Sequence, residues 1–381
     1  EIVAALDNLC VKTGNGRLIF DHVDFRLSKG KITCLTGPSG AGKTTFGLLL
    51  LGIVPLGMRI VGGKISILGR HLVPGDALQA RAVRGRQVAM VFQDAHASLN
   101  PLRRCGVQVA DVLAIHGMVE ERSSKAAILD QFKAVGLDDA ERIYQSFPHQ
   151  ISGGQRQRVL IAQATILKPA ILIADEPTAS LDSHNSAQVI ELFGSLARTQ
   201  QTAVLLITHD LNMVRAIGDR FLEMKEGRLQ ELQGTAVHGV EVRLPATRLV
   251  AAPALEVQLL SKSFPSRNGR QRSVILKELS LKVGAGEMVG ILGPSGVGKT
   301  TLGRCIAGLE QPDTGAVLLA GNPVVARGLR PHDGRIQMVY QSPGSSLNPR
   351  MRILNIVGEA LTAAGTPSSD HAGEIALLLA A

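Results

Sequence analysis

The sequence has 381 residues, 45% hydrophobic and 19% charged, enough apolar material for two folded cores and too much for a disordered chain. Its 41 Lys and Arg against 32 Asp and Glu leave a net charge of +9, which suits an anionic partner. With no Trp and 3% aromatics, a base-stacking platform is poorly supplied, and no nucleic acid is expected.

Residues 1–7 lack a basic segment and a cleavage pattern, so no signal peptide is expected. The first residue is Glu1 rather than Met, and the expectation is a piece of a longer translation product. Cys10, Cys34, Cys105 and Cys305 share no disulfide or metal-ligand spacing, which fits a reducing compartment. An apolar strand is predicted over residues 32–36. It leads into Gly37-Pro38-Ser39-Gly40-Ala41-Gly42-Lys43-Thr44-Thr45, which fits G-x-x-x-x-G-K-[ST] and opens a helix. Such glycines let backbone N–H groups curl toward phosphate oxygens, and the helix adds its positive end. Lys43 can neutralise β/γ-phosphate charge, and the Thr44 hydroxyl can ligate Mg²⁺. The apolar run 46–58 contains Gly52, Pro55 and Gly57 and is too short for the roughly 18–20 residues of a membrane span. It reads as a buried core helix.

A strand predicted over 88–92 delivers Gln93, whose amide can reach both Mg²⁺ and water and so sense a γ-phosphate. Ile151-Ser152-Gly153-Gly154-Gln155 then opens another helix with exposed amides. Alone it would be an ordinary cap. Beside a loop that already serves one nucleotide, it fits a γ-phosphate held by a different domain. The apolar strand 170–174 ends in Asp175 and Glu176. Asp175 is expected to hold Mg²⁺ directly or through water. Glu176 is expected to polarise the attacking water, a role typically contributing ~10²–10⁴-fold. A last strand, 203–208, ends at His209, a potential donor to a γ-phosphate oxygen.

After a weakly patterned stretch, the sequence echoes itself. Residues 287–304, EMVGILGPSGVGKTTLGR, match 31–48, KITCLTGPSGAGKTTFGL; 336–349, IQMVYQSPGSSLNP, match 88–101, VAMVFQDAHASLNP. A second loop, Gly293-Pro294-Ser295-Gly296-Val297-Gly298-Lys299-Thr300-Thr301, follows a strand predicted over 288–292. Thr300 and Gln341 repeat the Mg²⁺ ligands, Gln341 after a strand predicted over 336–340. The expected domains are 1–230, complete; a linker, 231–254; and 255–381, a front half without counterparts of residues 151–155, of the Asp175-Glu176 pair or of His209.

Together these residues resemble the ATP-binding proteins of ABC transporters. The resemblance implies α/β P-loop NTPase domains with a mainly parallel core sheet, an antiparallel β subdomain and a helical signature subdomain. It implies two copies, the second incomplete. It makes Gln93 the Q-loop, Ser152, Gly153, Gly154 and Gln155 the signature, residues 179–182 the D-loop, and Glu176, His209 and Gln93 catalytic. Thr13 stands where the family stacks an aromatic on adenine, and Thr cannot stack; the matching position in the second copy is Phe264. Ser-Leu-Asn-Pro at 98–101 and 346–349 resembles the peptide and nickel importers, whose two ATPases are sometimes fused. The absence of a C-terminal cysteine cluster leans toward nickel, a metal chelate or another small solute over oligopeptides.

ATP and Mg²⁺ are the implied cofactors. Membrane permease subunits, and through them a solute-binding protein, are the implied partners, at the cytoplasmic face of the plasma (inner) membrane. The docking groove for the permease is expected beside each Q-loop, at 95–101 and 343–349. In this family two domains close head to tail, each nucleotide touching one loop and the opposite signature. Neither site is complete within the sequence. A truncated fused ATPase is the favoured account; natural truncation and pairing of two chains through their first copies stay open. The rival functions are a soluble tandem ATPase acting on ribosomes and a non-hydrolysing remnant.

Overall fold

The computed structural model describes residues 1–73, 76–93, 98–118, 121–179, 181–232, 253–265, 272–293, 296–324, 336–340, 347–363 and 371–380. The chain divides into two compact units, Glu1–Glu241 and Val242–Ala381.

In the first unit, β1 (Ile2–Thr13) and β2 (Leu18–Ser28) form a hairpin. With β4 (Met58–Ile67) and β5 (Arg70–Leu72) they make an antiparallel sheet of order β2-β1-β4-β5. A second sheet has the order β10-β9-β3-β8-β7-β6. Its parallel members are β3 (Ile32–Thr36), β6 (Val88–Val91), β7 (Ile171–Asp175), β8 (Ala203–Ile207) and β9 (Arg220–Lys225). Antiparallel β10 (Arg228–Glu231) closes one edge. β7 and β8 are buried at every position. That is why they read as unbroken apolar runs: both faces of a central parallel strand are covered.

The helices of this unit are α1 (Lys43–Leu50), α2 (Ala77–Val83), α3 (Cys105–Ile115), α4 (Glu121–Ala134), α5 (Ala140–Gln145), α6 (Gly153–Thr165), α7 (Ser183–Gln200) and α8 (Leu211–Val214). One core lies between the two sheets around α1, where Phe46 meets Phe20 and Phe25 edge to face at 6.0 and 4.9 Å. The other joins the parallel sheet to the helices through Phe132, Val159 and Phe193. Each such buried side chain contributes about 1.5–3 kcal/mol.

The apolar run 46–58 is not one helix. α1 stops at Leu50, Gly52 turns the chain at φ 67°, and β4 begins at Met58. The stop is a glycine C-cap: Gly52 and Ile53 donate their N–H groups back to the carbonyls of Leu49 and Leu48, both at 2.9 Å, and a Cβ on Gly52 would stand 2.9 Å from Cβ of Ala80. Of the expected linker, Glu231 still belongs to β10, held by an ion pair to Arg220 at 2.7 Å, and residues 233–252 lie outside the described residues.

The second unit contains β11 (Pro253–Pro265), β12 (Arg272–Gly284), β13 (Thr314–Leu319) and β14 (Asn322–Pro323) in an antiparallel sheet of order β12-β11-β13-β14. α9 (Lys299–Ile306) packs on it through Leu302 and Cys305, and α10 (Ile353–Ala363) and α11 (His371–Ala380) follow. The strands predicted at 288–292 and 336–340 are not formed. Met288 and Leu292 are 91% and 96% exposed, and Val339 is 93% exposed. In the first unit β3 is held on both sides by β8 and β9. No strand among the described residues of the second unit fills those places, and a lone parallel strand leaves its N–H and C=O groups unpaired.

Candidate active site

β3 delivers the chain to Gly37, at φ 147°, where a Cβ would stand 2.3 Å from the carbonyl oxygen of Met224 in β9. Gly42, at φ 98°, is the N-cap of α1 and brings no side chain to its amides. The first-turn N–H groups therefore stay available at the positive end of the helix. Lys43 folds back over the loop, its Nζ donating to the carbonyls of Gly37 at 2.8 Å and Pro38 at 3.0 Å. The Ala41 N–H also donates to the Pro38 carbonyl, at 3.2 Å.

Asp175 ends β7 at 3% exposure and accepts a hydrogen bond from Thr44 Oγ1 at 2.6 Å. Burial pushes its carboxyl above the usual carboxylate range; Glu176 adds to this, while the Thr44 hydroxyl and the Lys43 ammonium oppose it. The buried charge is thus short of compensation. Glu176 adopts φ 47°, a left-handed conformation costing on the order of 1–3 kcal/mol, and its N–H donates to the Ile207 carbonyl of β8 at 2.9 Å. Its Oε2 accepts from Nδ1 of His209 at 2.8 Å. The carboxylate is 13% exposed and the imidazole 72%, so the pair sits at the lip of the site.

One cleft of about 480 Å³ gathers Gly37, Ser39, Gly40, Gly42, Lys43, Thr44 and Thr45 with Gln93, Asp175, Glu176 and His209. The signature residues do not line it. Ser152 caps α6: its Oγ accepts from the Gln155 N–H at 3.2 Å, and Gln155 Oε1 accepts from the Ser152 N–H at 3.1 Å. Gly154, in the first turn of α6, packs against α7, where a Cβ would stand 2.8 Å from Asn185 Oδ1. Asn185 is in turn held by Asp182, the N-cap of α7. No periodicity in the sequence signals Asn185 or Met224, whose roles come from close approach. Ser180 lies outside the described residues.

In the second unit Gly298 caps α9 at φ 107°, and Lys299 Nζ donates to the Gly293 carbonyl at 2.6 Å, as Lys43 does to Gly37. Gly296, Val297, Thr300 and Thr301 continue this loop and helix, whereas Pro294, Ser295 and Gln341 lie outside the described residues. The hairpins also share their register. Leu6, Leu9, Val11 and Lys12 pair with Phe25, Val23, Phe20 and Leu18; Val257, Leu260, Lys262 and Ser263 pair with Leu281, Leu279, Leu276 and Val274. Each partner lies the same number of residues before its loop lysine, so Phe264 occupies the place that Thr13 has in β1.

A glycine loop backed by a parallel strand, a lysine over it, and a buried aspartate with a following glutamate at the neighbouring strand define a P-loop ATPase cassette. The family model described as ABC transporter matches residues 20–179 and 276–376. The chain is 34% identical, over 95% of its length, to the uncharacterized ABC transporter ATP-binding protein YejF of Escherichia coli, of which it spans 73%. It is also 34% identical, over 90% of its length, to the peptidoglycan transport ATP-binding protein YejF of Agrobacterium fabrum, spanning 67% of that protein. The glutathione import ATP-binding protein GsiA of E. coli is 30% identical over 94% of this chain, with 66% of GsiA covered. The dimeric MJ0796 cassette, a bacterial ABC transporter cassette, superposes with a TM-score of 0.54 at 27% identity, covering 61% of this chain and 99% of that one. The same cassette in a post-hydrolysis state bound to ADP and Pi gives 0.53. The chain belongs to the ABC transporter family, as an ATP-binding protein of its transport ATPases. Among the described residues, no helix is long and apolar enough to cross a membrane.

Proposed function

We propose that this chain hydrolyses ATP to power import of a small solute through separate permease subunits, at the cytoplasmic face of the plasma (inner) membrane. The observation that carries the reading is the convergence of Lys43, Thr44, Asp175, Glu176 and His209 on one cleft. ATP phosphates would lie on the amides of loop 37–45, and Lys43 would exchange its loop carbonyls for β/γ oxygens. Thr44 and Asp175 offer adjacent hard oxygens, and burial of Asp175 leaves a charge that a cation would satisfy, so the pair fits Mg²⁺. Mg²⁺, when bound, neutralises phosphate charge. Glu176 would align the attacking water once His209 Nδ1 leaves its carboxylate for a γ-phosphate oxygen.

The amides at Ser152 and Gly154 would meet the γ-phosphate held by another module, either a second ATPase half or a second chain. The cycle would then be a binding-linked switch between open and closed arrangements. Among the solutes expected from sequence, the relatives' printed names favour the peptide class over nickel or a metal chelate, with a solute-binding protein delivering the cargo. They name transport, and the ribosomal alternative is not favoured. An apolar groove of about 370 Å³ beside the Q-loop, lined by Leu51, Ile53, Met90, Phe92 and Ser98, is the candidate seat for a permease segment. Its expected residues 95–97 lie outside the described ones.

Glu176→Gln tests the reading. MgATP should still bind by titration calorimetry, while turnover falls by about 10²–10⁴-fold. Equal hydrolysis by variant and parent would remove Glu176 from the role. Turnover rising faster than linearly with protein concentration would support pairing of chains; co-purification with a permease would support the transport assignment.

A further inference from the structure

Among the described residues, two charged residues are buried: Asp175 in the cleft, and Lys262 in β11 at 8% exposure. A lysine leaves water at a high cost and needs partners that compensate it. By the shared register Lys262 replaces Val11, a wholly buried residue of the first unit's core. A valine suffices to fill that place, so packing alone does not call for an ammonium.

The ammonium is held by a carboxylate, a carbonyl and a ring. Its Nζ is 2.7 Å from Glu310 Oε1, donates to the Gln311 carbonyl at 2.7 Å, and lies 5.0 Å from the centre of the Phe264 ring. Glu310 and Gln311 follow α9, and the Glu310 N–H donates back to the Arg304 carbonyl at 3.2 Å. Lys262 therefore ties the hairpin to the end of the helix that the second phosphate loop opens. It also holds an aromatic two residues along the same strand. The first hairpin has neither member of this pair. Val11 and Thr13 stand there, and the Thr13 hydroxyl donates to the Arg17 carbonyl at 3.2 Å within its own turn. Cation and ring are present together or absent together.

The placement of Phe264 gives the pair a purpose. Ile275 and Leu276 of β12 lie against Gly298, where a Cβ would stand 2.8 Å from Ile275 Cγ2. Leu276 pairs with Lys262, and Phe264 pairs with Ser273, three residues along β12, or roughly 10 Å at strand rise. Phe264, 36% exposed, thus lies on the hairpin strand that flanks the loop, offset from it by about that length, which is the scale of a nucleoside.

We propose that Lys262 is a positioning residue for Phe264, holding the ring by a cation–π contact so that it stacks on the base of a nucleotide at the second loop. The inference rests on reading residues 293–301 as a phosphate loop and Phe264 as its base platform. An aromatic fixed before binding loses less freedom when the base arrives.

The test uses the full chain with Lys43→Ala in every protein, so that the first loop is silent, and measures MgATP and inorganic tripolyphosphate by calorimetry. Lys262→Met should lower ATP affinity about fivefold, the scale of one cation–π contact, and leave tripolyphosphate unchanged. Lys262→Arg should restore ATP binding. Unchanged ATP affinity in Lys262→Met, or equal loss of both ligands as a damaged fold would give, overturns the proposal. Phe264→Ala separates the layers: if it leaves ATP affinity intact, the base-platform reading itself fails. If it weakens ATP while Lys262→Met does not, only the positioning role fails.

Discussion

The two units carry nearly the same loop sequence in different surroundings. Locally they agree: Gly42 and Gly298 cap their helices at φ 98° and 107°, and each following lysine bonds the carbonyl of the loop's first glycine. Beyond the loop they diverge. β3 is clamped between β8 and β9 and brings Gly37 against Met224, whereas 288–292 pair with nothing described and Gly293 meets only Val297. A phosphate-loop motif therefore specifies a turn and a helix start. The catalytic cleft needs the sheet that carries Asp175 and His209 as well.

The sharpest way to break this comparison is kinetic. Lys43→Ala should reduce ATP turnover by about 10²-fold, as loss of a phosphate-stabilising group does, and Lys299→Ala by less than about threefold. The reason is that residues 255–381 contain no Asp-Glu pair to act on a nucleotide there. Equal losses would mean the second loop shares the chemistry. Chemical denaturation gives the next largest contrast. Gly37→Ala should cost about 3 kcal/mol, because a backbone oxygen 2.3 Å away cannot step aside and φ 147° suits glycine. Among the described residues, Gly293→Ala meets only a flexible Val297 methyl at 3.1 Å, and it should cost less than about 1 kcal/mol. Similar values for the two would mean that β3 is not clamped as described.

The smallest effect concerns Asp175. Its carboxyl is raised in the folded protein, chiefly by burial, so the charged form works against folding at neutral pH. That penalty fades as pH falls through the folded value. Asp175→Asn keeps an acceptor for the Thr44 hydroxyl and removes the charge. Without nucleotide or divalent cation, its Tm at neutral pH should exceed the parent's, and the gap should close on acidification. A lower Tm for the variant at neutral pH would show that the carboxylate is already compensated.

Much of the first unit was legible because its signals are short-range. The apolar text of β3 has the bounds Ile32–Thr36 predicted for it, and every expected first-loop residue lies in one turn and helix start. The strand expected over 288–292 did not form, although its text is equally apolar, because no neighbouring strand among the described residues completes the sheet there. The helix expected over 46–58 ended early at Gly52, whose left-handed φ of 67° turns the Gly52 and Ile53 N–H groups back onto Leu49 and Leu48, a glycine signal that the apolar run outweighed.

By itself the sequence determined the chemistry on offer: glycines that admit positive φ, a lysine and a threonine after them, two adjacent acids, a capped anion-binding helix start. These follow from residue type and spacing along a few bonds. Tertiary structure alone decided that Thr44 reaches Asp175, that Glu176 is held left-handed by Ile207 and engaged by His209, and that Lys262 reaches Glu310. Those contacts join residues far apart in the chain, and only a completed sheet and a shared hairpin register bring them within a hydrogen bond's reach.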